Sequence, residues 1–270
     1  MFSKDLCIGV VLFNRLKTVP LCLKYASSAK WSLGRKILVV SYSHPRYMEK
    51  LRSLVRNYWA KEVVEISFKE PVKIPVARNK ILQTSRQYCR YLFFLDDDVL
   101  VPPTIFEESR ELLQTYHVAW GIVGMEERAN VENNPPKPYS IIVNSSIHKL
   151  EYDENGFPAG KTVLEKPPTL LKYLSEHILK DHWKNIVKNF RLVRVSFIWA
   201  GALMIDLEKL PSNIMFNPRK TVWEDWEFMR DVESKGLRTY VETREVTIHW
   251  KPPSQPSALS NMKRFWQEKF

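Results

Sequence analysis

The stretch Tyr91–Pro103, YLFFLDDDVLVPP, constrains the fold of this chain more than any other. Five apolar residues, Tyr91 to Leu95, run without alternation, which predicts a strand buried on both faces of a parallel sheet. Three carboxylates follow at once, and Pro102-Pro103 end the strand because neither can donate to a ladder. In an extended backbone side chains alternate, so Asp96 and Asp98 are expected on one side and Asp97 on the other. Two neighbouring carboxylates repel each other unless a cation sits between them. Hard oxygen ligands suit Mg2+ or Mn2+, ions that commonly also bind a substrate phosphate. A solvated acidic turn is the alternative.

The flanking sequence has the rhythm of an α/β protein. Leu6–Phe13, Lys36–Tyr42, Glu62–Phe68 and Ala119–Met125 read as strands. Between them lie helical patterns from Leu16 to Ala26 and over Pro45–Trp59, Val76–Tyr88 and Thr104–Tyr116. Such alternation predicts βαβ units in a mostly parallel sheet, with ligands at the carboxyl ends of its strands, where the aspartates stand. From about Ala129 the rhythm breaks. Asn133–Pro138 is a loop, Tyr139–Tyr152 and Lys161–Leu164 read as strands around an Asp-Glu-Asn-Gly turn, and Thr169–Phe190 reads as a basic helix. The sheet resumes at Leu192–Ile198 and Ala202–Ile205, and Thr239–Val241 and Val246–His249 are expected as short edge elements.

At 270 residues the chain can bury a sizeable core as one domain. The regular strand–helix alternation covers 1–128, the less regular part 129–256, and a tail 257–270. The formal net charge of +11 favours phosphate-bearing substrates, nucleic acid or anionic lipid, and also suits plain solubility. No stretch approaches the roughly 18 apolar residues of a membrane span, and the start does not look like a signal peptide. Asn144-Ser145-Ser146 matches a glycosylation acceptor and, without an export signal, reads as a loop. Cys7, Cys22 and Cys89 are scattered, so neither a disulfide framework nor a zinc set is expected, and a reducing cytoplasm is the natural setting. The tail mixes Lys263, Arg264 and Lys269 with Met262, Phe265, Trp266 and Phe270, which suits either peripheral contact with an anionic bilayer or a packed terminal helix.

A second functional stretch is Val222–Val232, VWEDWEFMRDV. Asp225, Phe228, Met229 and Val232 fall at i, i+3, i+4 and i+7, on one helical face. Three of them are apolar, so Asp225 is aimed inward or at a cleft edge. A carboxylate there serves as a helix cap or as a general base. Gly236 ends the helix.

Taken in order, these residues resemble a GT-A fold glycosyltransferase, closest in pattern to glycosyltransferase family 2. The likeness rests on Phe13-Asn14-Arg15 after the first strand, Ala77-Arg78-Asn79-Lys80 opening a helix, and Phe94-Leu95-Asp96-Asp97-Asp98. It continues through Ala200–Ile205, Trp223-Glu224-Asp225-Trp226 and a late His249. The resemblance implies a Rossmann-like, mostly parallel central sheet flanked by helices, with an inserted acceptor-side region; 1–128 would be the nucleotide-sugar-binding half and 129–256 the acceptor-side half. It implies a metal-dependent transferase moving a sugar from a UDP- or GDP-linked donor to a hydroxyl acceptor on a glycan, lipid or protein. Phe13, Asn14, Arg78, Asn79, Asp96 and Asp97 would bind the donor, with Phe13 stacking on the base and Arg78 contacting the diphosphate. Asp96, Asp98 and His249 would hold Mn2+ or Mg2+, with Asp98 the main ligand; a structural role is the alternative for His249. Asp225 would be the base of an inverting enzyme, and Trp199, Gly201, Glu224 and Trp226 would line the acceptor side.

The chain departs from the pattern at Val40-Ser41-Tyr42-Ser43-His44, where family members often carry an Asp-Asp-Gly-Ser-like turn that contacts the base. Two other function classes compete. One is a metal-dependent nucleotidyltransferase or nuclease, which would want several clustered carboxylates. The other is a non-catalytic basic nucleic-acid-binding protein, but the basic residues are spread along the chain and no binding motif appears, so no nucleic-acid partner is expected. Dinucleotide-fold and P-loop classes lack their glycine-rich loop here.

Overall fold

The apolar runs of β1 (Leu6–Leu12), β2 (Lys36–Tyr42) and β4 (Tyr91–Asp96) become the centre of the molecule. β1 lies between the other two, parallel to both, with Leu6 opposite Lys36 on one side and Tyr91 on the other. Both faces of these strands are covered, which is why their sequences show no alternation. β3 (Val63–Ser67) adds a fourth parallel strand beside β2. The computed structural model describes residues 5–115, 122–130, 140–142, 151–152, 158–159, 192–195, 200–220, 224–237 and 239–251.

The remaining described strands are β5 (Val99–Leu100), β6 (Ile122–Asn130), β7 (Ser140–Ile142), β8 (Glu151–Tyr152), β9 (Pro158–Ala159), β10 (Leu192–Val195), β11 (Ala202–Asp206) and β12 (Thr239–Lys251). The sheet runs β3-β2-β1-β4-β11-β6-β12-β10-β9-β8, with β5 on β12 and β7 on β6. β11 is antiparallel to β4, so its first residue, Ala202, pairs with Leu95 and brings Gly201 to the aspartates. The helices are α1 (Val19–Ser28), α2 (Met48–Tyr58), α3 (Ile74–Ser85), α4 (Ile105–Thr115) and α5 (Glu224–Ser234). Together these elements form the helix-flanked, mostly parallel central sheet expected from the sequence.

One buried charge in β2 has a local explanation. The Lys36 ammonium donates to the carbonyls of Ala26 (3.1 Å), Ser27 (2.5 Å) and Ala29, at the C-terminus of α1. These are the carbonyls a helix leaves without internal partners, and a cation there complements the helix dipole.

Four expectations change. The aspartate triplet is not extended: β4 ends at Asp96, and Asp97 and Asp98 form a turn before β5. Strand alternation therefore does not govern their directions. Thr239–Lys251 is one long strand with an irregularity between Glu242 and Val246, and it pairs with β5, β6 and β10 rather than lying at an edge. Two apolar halves that look separate in sequence are joined by the bulge. β6 continues past Met125 through Glu126-Glu127-Arg128 because β7 and β12 pair with it.

Cys7 and Cys89 form a disulfide with a Cα–Cα distance of 5.7 Å. They are 82 residues apart, but Cys7 stands opposite Leu92 in the β1–β4 ladder, and Cys89, just before β4, is thereby brought within reach of it. The pairing removes the cysteine-based support for a reducing compartment. No described helix is long and apolar enough to cross a membrane. The Lys161–Leu164 strand, the Thr169–Phe190 helix, the Asn144 acceptor and the 257–270 tail lie outside the described residues.

Candidate active site

The turn after β4 sits at the carboxyl end of the central strand, beside the end of β1. Arg15, three residues past β1, reaches across to it. Its Nη1 donates to Asp97 Oδ1 at 3.3 Å and also pairs with Asp98 Oδ2. The Phe13 N–H donates to Asp97 as well, and burial pushes the Asp97 carboxyl up to about 7 despite Arg15. Asp98 is 1% exposed. Asp97 and Asp98 thus share one cation, whereas Asp96 turns elsewhere.

Asp96 Oδ1 accepts from Arg78 Nη2 at 3.0 Å. The other terminal nitrogen of Arg78 serves α5, donating to Glu224 Oε1 at 3.3 Å and to Asp225 Oδ1. Arg78 is 4% exposed, so its guanidinium lies beneath the site, enclosed by three carboxylates and set over the Phe216 ring at 5.5 Å. These carboxylates hold its charge so firmly that its pKa rises despite complete burial. Asp225 is 9% exposed, and burial pushes it up to about 7 against the pull of Arg78, with Glu224 and Asp96 adding to the rise. The Ala200 N–H donates to the same carboxylate.

α5 is oriented from below. Phe228, Met229 and Val232 are fully buried on the face that carries Asp225, as the spacing predicts. Phe228 stacks on Phe216 with centroids 3.9 Å apart, and Phe216 meets Phe94 of β4 edge-on at 5.7 Å. Phe216 is itself fixed by Asn79, which donates to its carbonyl and accepts from its N–H, both at 2.7 Å. One turn of α3 therefore supplies both Arg78, which pairs with Asp225, and Asn79, which locks the loop under Phe228. Gly236, with φ +76°, ends α5 in the left-handed conformation.

The expected site residues are placed as follows. Asn79 hydrogen-bonds the backbone of Phe216. Arg78 is buried among carboxylates and bridges Asp96 to Asp225. Gly201 lies against Asp96: its carbonyl accepts from Asp96 N at 2.9 Å, and a Cβ there would come within 2.9 Å of Asp96 Oδ2. Glu224 shares Arg78 with Asp225. Phe13 and Asn14 are half-buried at the carboxyl end of β1. Phe13 meets His44 edge-on at 5.2 Å, and His44 meets Tyr47 likewise at 5.2 Å, so aromatic rings occupy the rim where the usual acidic turn is missing. His249 pairs through its backbone with Val99, one residue beyond Asp98. Trp199 and the Trp226 side chain lie outside the described residues.

Arg15 enters the sequence reading only as the end of the Phe13-Asn14-Arg15 turn; the β1–β4 pairing is what sets it beside the aspartate turn.

Five carboxylates, Asp96, Asp97, Asp98, Glu224 and Asp225, meet here with two guanidiniums, Arg15 and Arg78. At an effective dielectric of ~20, a carboxylate and a phosphate about 4 Å apart repel by about 4 kcal/mol. An anionic ligand can approach only if further positive charge comes with it. Asp96 and Asp98 offer hard oxygen donors of the kind Mg2+ or Mn2+ takes; the His249 backbone is in register with Val99, and its side chain lies outside the described residues. Among the residues whose side chains are described, no three such groups already converge as a ligand set.

Solved structures share this architecture. GalNAc-T7 with UDP, GalNAc and Mn2+ matches with a TM-score of 0.64 and 15% identity, over 93% of this chain and 45% of that one. S. aureus TarS 1-349 in complex with UDP-GlcNAc matches with a TM-score of 0.60 and 12% identity, over 95% of this chain and 60% of that one. The chain thus spans about half the length of these proteins. No protein-family model matches the sequence, and no curated protein matches it significantly. The chain has the GT-A glycosyltransferase fold.

Proposed function

We propose that this protein is a metal-dependent glycosyltransferase that moves a sugar from a nucleotide-diphosphate donor to a hydroxyl acceptor with inversion. One observation carries this: a single buried guanidinium, Arg78, joins Asp96 at the end of the central strand to Asp225 at the head of α5. A donor-side carboxylate and a candidate base are thereby held in one site by one rigid cation. Support also comes from the neighbours, one solved with UDP and Mn2+ and another with UDP-GlcNAc.

In the proposed reaction Asp225 accepts the proton of the incoming hydroxyl, whose oxygen forms the new bond to the anomeric carbon. The bond from that carbon to the donor phosphate breaks, and its electron pair leaves with the nucleotide diphosphate. With a pKa near 7, Asp225 is basic enough to take a proton and is largely ionised just above neutrality. Phe13, beside His44 and Tyr47, offers a ring surface for the nucleotide base. Asp96, Asp98 and His249 would hold a divalent cation, which would act as a Lewis acid on the departing diphosphate.

The test is calorimetry with UDP and GDP, with and without Mn2+, followed by donor turnover with UDP-GlcNAc and UDP-GalNAc. Mn2+-dependent binding of a nucleoside diphosphate and release of free UDP from a donor are expected. Failure to bind either nucleotide with Mn2+ present would overturn the assignment.

A further inference from the structure

Arg15 stands where a metal would have to work. Its guanidinium pairs with both Asp97 and Asp98, and Asp98 is the principal candidate ligand. An oxygen that faces a guanidinium cannot offer the same lone pairs to a divalent ion, and two cations a few ångströms apart repel. Metal and Arg15 therefore compete for one carboxylate. The arginine is built to yield. Its backbone is fixed, because its carbonyl accepts from the N–H groups of Thr18 (3.3 Å) and Val19 (3.2 Å) at the start of α1. Its side chain remains 17% exposed, unlike the enclosed Arg78, so the head group can move toward solvent while the main chain stays.

We propose that Arg15 is the resident counter-ion of the metal site: it neutralises Asp97 and Asp98 in the metal-free protein and cedes Asp98 to an incoming divalent cation, thereby setting metal affinity. This rests on the reading that Asp98 ligates the metal. The displaced guanidinium keeps Asp97 and gains room to meet a second anion, such as the diphosphate of a donor. Metal and donor binding are then linked, because the anion gives Arg15 a new partner once the cation has taken the old one. Without a donor, the exchange leaves Arg15 with Asp97 but without Asp98, so the metal alone binds weakly. The sign of the effect separates this role from scaffolding: a merely structural Arg15 would, when removed, loosen the ligands and weaken the metal.

The experiment is a Mn2+ titration followed by electron paramagnetic resonance, with and without UDP, on the wild-type protein, Arg15→Gln and Arg15→Lys. Arg15→Gln is expected to bind Mn2+ alone about tenfold more tightly, the scale for removing one like charge from a partly buried site, with Arg15→Lys closer to wild type. The gain in Mn2+ affinity that UDP brings should shrink in Arg15→Gln. A folded Arg15→Gln that binds Mn2+ no better than wild type overturns the proposal while leaving the transferase assignment standing. Wild-type protein that takes up no Mn2+ even with UDP overturns the metal assignment and this proposal with it. Should Arg15→Gln not fold, the Nε–H resonance of Arg15 in the wild type gives the answer during Mg2+ titration in the presence of UDP. A shifted, faster-exchanging signal supports the exchange, and an unchanged one at saturation overturns it.

Discussion

Arg78 and Asp225 are 147 residues apart in sequence and share a buried ion pair, with Asp96 on the other arm of the same guanidinium. Neither partner is placed by local sequence alone. α3 carries the arginine to the end of the central strand, and the Phe216–Phe228 stack tilts α5 so that its first turn meets it.

Asp225→Asn keeps size and most hydrogen bonding and removes the proton acceptor. Transfer at saturating donor and metal is expected to slow by roughly 10²–10⁴-fold, with donor affinity retained. Arg78 keeps Asp96 and Glu224, so stability should fall by less than the about 3–5 kcal/mol that losing a sole buried partner costs. Near-normal turnover would refute the base assignment.

The acid limb of the kcat profile should fall near pH 7, because Asp225 must be ionised to accept a proton and burial raises it to about 7. Stability should move the opposite way. The folded state binds this proton more tightly than the unfolded chain, whose carboxyl titrates near 3.8, so the group's contribution is lost as pH rises from about 4 to about 7. Asp97 adds to the same slope. Urea unfolding measured across that window should show a shallower decline in Asp225→Asn.

Asn79→Ala removes two hydrogen bonds from the Phe216 backbone. A loss of about 1–3 kcal/mol is expected from leaving these groups without their partner. UDP affinity should change little, because the amide works beneath α5 rather than on the donor. A large loss of UDP affinity without destabilisation would return Asn79 to the donor site.

Cys7→Ser should lower the unfolding midpoint, and a reducing agent should do the same to the wild type. A bridge spanning 82 residues restricts the unfolded chain, an effect worth about 2–4 kcal/mol in typical cases. An identical midpoint with and without reductant would show that the bond contributes nothing to stability.

Periodicity and composition reached far into this fold. Unbroken apolar runs identified β1, β2 and β4, because a strand covered on both faces has no polar side to alternate with. The i, i+3, i+4, i+7 pattern put Asp225 on the buried face of α5, since the helical repeat is a local property. What the sequence could not determine was partnership across the sheet. Asp96, Asp97 and Asp98 are adjacent in sequence, but the turn sends the first to Arg78 and the other two to Arg15. Glu224 and Asp225, adjacent too, converge on one guanidinium. Cys7 met Cys89, and Gly201 met Asp96, only because β1 and β11 flank β4 in a particular register. Hydrophobic pattern is read along the chain, whereas charge pairing depends on distance between residues far apart in it, and tertiary structure alone sets that distance.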